Sequence, residues 1–236
     1  MSESASDVIY RELYDDIRRQ RLVPSALVQE EELAARFNVS RTPVREAVRR
    51  LIQDGLLERK GSGTSVRQLT VEEVENIYPL ISVMEGLAAR QAADRITREE
   101  LATLDRLHRQ MQEAQASSAK FVELNQAFHD TIIAAARNPS LAREIERFRI
   151  ITTSFRHVVL GMPQRSSQSI DEHARLLAAL HAGNGEAAEK EMRAHVGTAE
   201  AVLMLLLRTS RLVAPSMAPE NINHRRAPEG RSRDRR

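Results

Sequence analysis

Ser40-Arg41-Thr42-Pro43-Val44-Arg45-Glu46-Ala47-Val48-Arg49-Arg50-Leu51 reads as a short helix with one apolar edge and one arginine edge. Val44, Ala47, Val48 and Leu51 fall at i, i+3, i+4 and i+7, the spacing of a single buried stripe. Arg41, Arg45 and Arg49 recur at every fourth position on a different face, with Arg50 beside them. Pro43 suits the first helical position, where its missing N–H costs nothing, and Thr42 before it suits the N-cap. A helix anchored on one side and presenting guanidinium forks on the other fits a DNA major groove, because Arg pairs bidentately with guanine. A solvated charged face is the other common use of such a helix, and the flanking sequence decides between the two.

Upstream, Glu30 to Phe37 reads as a short helix with Leu33, Ala34 and Phe37 inward, and Asn38-Val39-Ser40 is a tight helix-turn-helix corner. A further amphipathic helix runs from Val8 to Gln20, with Ile9, Leu13 and Ile17 at spacing four. Downstream, Asp54-Gly55 stops the arginine helix. Two short β-type runs, Leu56 to Arg59 and Thr64 to Arg67, flank a basic, glycine-rich tip, Lys60-Gly61-Ser62-Gly63. Three helices and a hairpin make a winged helix-turn-helix. Arg41, Thr42, Arg45 and Arg49 on the helix and Lys60, Ser62 and Gly63 on the wing are then placed to meet one duplex.

The 236 residues suit two small domains or one medium one. Cysteine is absent, which excludes disulfides, thiolate zinc sites and cysteine nucleophiles, and fits a reducing cytoplasm. No apolar run approaches the ~20 residues of a membrane span, and the N-terminal residues do not have signal-peptide character. The net charge is only +2, but it is uneven. Arg36 to Arg67 holds eight basic residues against three acidic, and the stretch from Ala214 onward holds six arginines against three acids. Positive charge therefore collects where a helix-turn-helix would touch phosphate. Aromatic residues are only 3% of the chain and Trp is absent, which argues against single-strand recognition by stacking.

Beyond Thr70 the pattern is helical throughout. Six helices are expected, at Val71 to Arg95, Arg98 to Ala116, Ser118 to Arg137, Ser140 to Leu160, Pro163 to Gly183 and Glu186 to Thr209. Thr97, Asn138-Pro139, Gly161-Met162-Pro163 and Gly183-Asn184-Gly185 supply the breaks. Pro79 should kink the first helix. The expected fold is mainly α: a winged helix-turn-helix over 1–68, a linker over 69–75, an antiparallel helical bundle over 76–212 and a basic disordered tail over 213–236.

Three of the seven histidines stand in a suggestive order. Asn125 and His129 lie one helical turn apart on one face. His173 and His195 each lie about ten residues from the Gly183-Asn184-Gly185 turn, so two antiparallel helices meeting there would bring them level. Three imidazoles and one oxygen converging in a bundle make a site for Zn²⁺ or another first-row divalent ion. The spacing alone also permits three ordinary histidines at hydrogen-bonded helix contacts.

Val39-Ser40-Arg41-Thr42-Pro43-Val44-Arg45-Glu46-Ala47, then Asp54-Gly55-Leu56-Leu57 and the wing ending Gly63-Thr64, resembles the GntR family of bacterial transcription regulators over roughly Val8 to Arg67. The family commonly has glycine in the loop after the first helix; this chain has Gln20 and Ser25 around Pro24, a change that should not reach the DNA-reading surface. Asn125-x-x-Phe128-His129, Glu172-His173-x-x-Leu176-Leu177-x-Ala179-Leu180 and Ala187 to Met192 leading to His195 resemble the effector domain of the FadR-type members, the FCD domain. That resemblance implies a divalent metal held by Asn125, His129, His173 and His195, with Zn²⁺ first and Ni²⁺ or Mn²⁺ as alternatives. Asn125 stands where the family often has aspartate, which should lower metal affinity and leave room for a water or an effector carboxylate. The family often has an arginine four residues before the glutamate of its first effector-domain helix (Glu85 here); that position is Ile81, so either Arg149 or Arg156 takes the task, unless both are surface ion pairs, or the effector is not a simple small carboxylate.

The implied function is a homodimeric regulator, in such families most often a repressor, that binds a pseudo-palindromic DNA operator under the control of a small metabolite. Two other classes compete with it. A metal-dependent hydrolase would use the histidine centre to activate water. Against that, no H-E-x-x-H spacing occurs and Glu172 is expected on a different helix face from His173. An architectural DNA binder with a purely structural bundle would have no use for a polar cluster that is costly to bury.

Overall fold

The computed structural model describes residues 3–61, 63–114 and 118–213. In the N-terminal domain, α1 (Ala5–Arg18) starts at Ser4, whose hydroxyl accepts from the Asp7 N–H at 3.2 Å. Its Ile9, Leu13 and Ile17 pack on Val44, Ala47, Val48 and Leu51 of α3 (Arg41–Gln53), so the apolar stripe of the arginine helix is the centre of the domain's core. Between them α2 (Glu30–Phe37) closes the corner through Asn38, which takes a left-handed backbone (φ +52°) that Asn tolerates. Helix α3 begins earlier than expected, with Ser40 as the extended N-cap residue and no side-chain cap bond. Pro43 is the third helical residue and is still harmless, because the first four helical N–H groups have no intrahelical partner.

The wing consists of β1 (Leu57–Lys60) and β2 (Gly63–Val66), antiparallel, with Lys60 opposite Gly63. Its strands are therefore offset from the expected ones, and the tip shrinks to residues 61–62, with Gly61 at φ +61°. Ser62 lies outside the described residues. Residues 25–28 add an edge along β2, through Ser25 N–H to Val66 O and Val28 N–H to Thr64 O, both 2.9 Å. Gln20 and Ser25, where glycine was expected, both hold a left-handed backbone (φ +56° and +66°) on either side of Pro24. The loop thus keeps a conformation that glycine would adopt freely.

The second domain has seven helices among the described residues: α4 (Val71–Ala93), α5 (Arg98–Glu113), α6 (Ser118–Ala135), α7 (Pro139–Ile151), α8 (Thr153–Leu160), α9 (Pro163–His181) and α10 (Gly185–Val213). Thr70 with Glu73 and Thr97 with Glu100 form capping boxes at α4 and α5. Helix α4 begins at Val71, inside the stretch taken as linker, and runs on through Pro79. The expected helix from Ser140 to Leu160 is divided at Thr152, whose hydroxyl donates to the Phe148 carbonyl at 2.9 Å and turns the chain into α8. Phe121, Phe128, Leu104, Met111, Ile132, Leu176, Leu180 and Met192 fill the bundle core. The two domains meet through α7: Ile150 joins the winged-helix core, and Tyr14 Oη donates to Glu146 at 2.9 Å. The tail from Ala214 lies outside the described residues.

Candidate functional site

On the DNA-facing side, Arg41, Thr42, Arg45 and Arg49 are exposed opposite the buried stripe of α3. The three arginines border a groove shared with Arg59 and Thr64 of the wing and with Glu30 and Glu31 of α2. Arg41 pairs with Glu31 at 3.0 Å and Arg45 with Glu30 at 2.9 Å. Exposed pairs of this kind are worth ~0–1 kcal/mol, so phosphates can displace the carboxylates. Arg50 does not stand beside the other three. It turns back onto the Tyr10 ring, 4.4 Å from its centroid, and pairs with Asp7 at 2.7 Å. Lys60 is exposed at the end of β1, level with Gly63.

In the bundle, α6, α9 and α10 bring His129, His173 and His195 together with their ligand-capable atoms all within 4.8 Å of one another. The α9–α10 turn that levels His173 with His195 rests on Gly183 (φ +62°) and on Asn184, whose side-chain oxygen accepts from Ala187 N–H. All three imidazoles are buried, and His173 stacks on Phe128 with centroids 4.4 Å apart. Each of the other two is held by a buried carboxylate. His129 Nδ1–H donates to Glu85 Oε2 at 2.8 Å, and His195 Nδ1–H donates to Glu172 Oε2 at 2.7 Å. With both Nδ1 atoms protonated, the two Nε2 atoms are bare lone pairs, and they face each other at 3.1 Å.

Two acceptors cannot satisfy one another. His173 Nδ1 and Nε2 and Asn125 Oδ1 are also buried without a hydrogen-bond partner. Orphaned buried polar atoms cost ~1–3 kcal/mol each, so a cation with three nitrogen ligands and one oxygen ligand fits this cluster. Protonation is disfavoured too. Burial lowers the pKa of all three histidines, opposed at His129 by Glu85 and deepened at His173 and His195 by the neighbouring imidazoles, so the neutral form that binds metal prevails. Burial alone would raise the Glu85 carboxyl, but Arg149 and then His129 outweigh it and hold Glu85 well below the carboxylate range. Glu172 is raised by burial, against the pull of Arg165.

Beside the histidines lies a narrow pocket of about 40 Å³ whose wall includes Tyr78, Ile81, Asn125, Arg156, Arg165 and His195. Ile81, in place of the expected arginine, lines this wall. Arg165 is buried, donates to Glu172 at 2.9 Å and to the His195 carbonyl at 3.2 Å, and keeps Nε and Nη1 without partners.

Residues 5–66 match the model for bacterial regulatory proteins of the gntR family, and residues 76–198, more than half of the chain, match the FCD domain. The chain belongs to the GntR family. Among its GntR relatives, the "probable D-xylose utilization operon transcriptional repressor" of Paenarthrobacter nicotinovorans is 32% identical over 77% of this chain and 80% of its own length. The transcriptional repressor RspR of Escherichia coli is 28% identical over 83% of this chain and 87% of its own. The structure of E. coli McbR/YncC shares the fold, with a TM-score of 0.76 at 23% identity, covering 87% of this chain and all of that one. A GntR regulator from Rhodococcus sp. RHA1 gives 0.71 at 23% identity over 86% and 98%. GntR-family members with an FCD domain are transcription regulators, and this chain is a DNA-binding transcriptional regulator of that kind.

For this regulator the structure brings together Asn125, His129, His173 and His195 on three helices, and it gives the two neighbouring arginines considered for the effector different surroundings. Arg156 lines the narrow pocket. Arg149 is not a surface ion pair: it is 2% exposed, sits behind Glu85 at 3.4 Å and reaches Asp130 at 2.8 Å. Glu172 is not turned away from the histidines; it is the hydrogen-bond acceptor of His195. The site roles of Glu85, Arg165 and Arg59 were not foreseen: Glu85 served only as the family glutamate from which Ile81 is counted, and Arg59 only as a wing-strand residue, while an Arg/Glu pair at i, i+7 on α9 was the available signal for Arg165. His108 and His181 bond to the Ile170 carbonyl and to Asp105, both at 3.0 Å, His157 is exposed, and His224 lies outside the described residues.

Proposed function

We propose that this GntR-family regulator represses transcription by binding, as a homodimer, a pseudo-palindromic operator in bacterial double-stranded DNA. Arg41, Thr42, Arg45 and Arg49 contact bases and phosphates in the major groove, and Lys60, Ser62 and Gly63 of the wing contact the adjoining backbone. Residues 1–68 are the reading head, 69–75 the connection and 76–212 the effector and dimerisation domain, with the tail from 213 adding unspecific phosphate affinity. The exposed groove of arginines supports the DNA reading, and the relatives named as repressors support its sign. Leu80, Val83 and Leu87, exposed at i, i+3 and i+7 on α4, support a dimer surface. No described helix is long and apolar enough to cross a membrane, which agrees with a cytoplasmic site of action.

The effector site is the histidine pocket. A divalent ion, Zn²⁺ in preference to Ni²⁺ or Mn²⁺, would be held by Asn125, His129, His173 and His195, and supplies positive charge and a coordination position to a ligand. The observation that carries this is the pair of facing Nε2 lone pairs beside the orphaned Asn125 and His173 atoms. Glu85 and Glu172 fix the tautomers, and Phe128 holds the His173 ring. Among the described residues Arg156 makes no ion pair, and Arg165 keeps two free nitrogens; both line the pocket. Together they favour a metabolite that enters with a small anionic head. Elemental analysis of the purified chain and of single Ala variants at the four positions tests this. About one ion per chain, lost in the variants, is expected; a full complement of metal in His173→Ala would sink the ligand set.

A further inference from the structure

A space of ligand size lies apart from the histidine pocket. A second cavity, of about 450 Å³, opens between the two domains, bounded by α1 of the reading head and by α6, α7 and α8 of the bundle. It is ten times roomier than the narrow pocket and falls in the range of small-molecule sites. Arg156 and Leu160 line both spaces, so they share a wall.

The charges that line this cavity do not balance. Each of its three acids already has a cation: Glu123 has Lys120 at 2.9 Å, Asp130 has Arg149 at 2.8 Å and Arg18 at 3.3 Å, and Glu146 has Arg18 at 3.6 Å. Two cations are left over. Among the described residues, Arg19 at the C-cap of α1 and Arg156 on α8 make no ion pair, and they stand on opposite domains. Arg149, in the same wall and nearly wholly buried, keeps Nη2 without any hydrogen-bond partner. Burial, and then its neighbour Arg149, lowers Arg156 to about 10, which still leaves it charged at neutral pH. Val122, Ala127, Ile150 and Leu160 give the same walls an apolar lining.

We infer that the inter-domain cavity is a second binding site, separate from the histidine centre, for a small organic dianion that bridges Arg19 of the reading head to Arg156 of the bundle. A dicarboxylate and a phosphate monoester share the required chemistry: two negative charges on a short carbon frame. Such a ligand ties α1 to α8, so its binding energy acts directly on the orientation of the reading head. Because Arg156 also faces the histidine pocket, the two sites compete for or share one guanidinium.

The test is equilibrium dialysis of the metal-loaded full chain with labelled succinate and, in a separate arm, labelled glycerol phosphate. For at least one probe, the parent should bind at a site that persists in His173→Ala, where the histidine centre is lost. Arg19→Glu should weaken that site by roughly tenfold or more, as expected for a lost charge-assisted contact. Arg19 is exposed, so its replacement should fold as the parent does. Which arm shows the site identifies the source of the dianion. If neither probe binds His173→Ala, or if Arg19→Glu binds as the parent does, the inter-domain site is overturned. Failure of metal binding alone would instead overturn the histidine centre and leave this site standing.

Discussion

At the residue scale, the histidine cluster depends on which nitrogen carries the proton. Glu85 and Glu172 each accept from an Nδ1–H, which leaves Nε2 free for a metal. Glu85→Gln can present its amide nitrogen to His129 and favour the opposite tautomer, so metal affinity should drop roughly 10–100-fold, measured by chelator competition. Unchanged affinity would mean that His129 is not oriented through Glu85. On the DNA side, Arg45→Ala should lose roughly 1–3 kcal/mol of specific binding and relax preference at one base pair. A uniform loss over all sequences would place Arg45 on phosphate instead. These residues differ in how visible they were. Arg45 announces itself by its spacing from Arg41 and Arg49 within one helix. Glu85 and Glu172 meet their histidines across 44 and 23 residues of chain, and Arg165 meets His195 across 30, so no local period connects them.

Among the elements, α2 and α4 carry the sharpest consequences. The acidic start of α2 places Glu30 and Glu31 on the very arginines that must reach DNA. Glu30→Gln should therefore tighten DNA binding, by the ~0.2–1 kcal/mol that an exposed pair is worth, with the gain shrinking at high salt. A gel-shift titration at two salt concentrations measures this; weaker binding would show that Glu30 helps to hold Arg45 in its reading position. On α4, Gly86 lies against α10, and a Cβ there would stand 2.7 Å from Arg193 Cγ. Ala in place of Gly within a helix ordinarily gains about 1 kcal/mol. Gly86→Ala should forgo that gain and weaken metal binding as α10, which carries His195, shifts outward. Thermal denaturation and metal titration together decide it; a plain stabilisation with full affinity would show that Arg193 simply swings aside.

For the whole molecule, the question is how a ligand in the bundle moves the reading head. A continuous polar path runs from His129 through Glu85, Arg149 and Asp130 to Arg18 on α1, while Ile150, next to Arg149, is seated in the winged-helix core. Asp130→Asn should leave metal content and unliganded DNA affinity near parent values but reduce the ligand-dependent change in DNA affinity, a coupling typically worth 1–3 kcal/mol. Operator titrations with and without ligand read this out, and a full response in the variant would place the coupling elsewhere. Val83→Glu, in the exposed α4 stripe, should shift sedimentation toward monomer and weaken operator binding; a stable dimer would move the interface away from α4.

The sequence alone determined the reading head and the helical character of the bundle, because those depend on periods of a few residues: the stripe of α3, the cap at Thr97, the glycine turns of the wing and of the α9–α10 corner. It also put Asn125 and His129 on one helix face and His173 and His195 equally far from one turn, and the resemblance to the FCD domain joined the four as one group. Tertiary structure alone decided what surrounds them: which carboxylate orients which imidazole, that Arg149 is buried behind Glu85, that Arg50 faces Tyr10, and that Arg19 and Arg156 border one cavity. Those relations join residues on different helices, and a contact between helices follows from how whole faces pack in three dimensions, a property that no single stretch of chain contains.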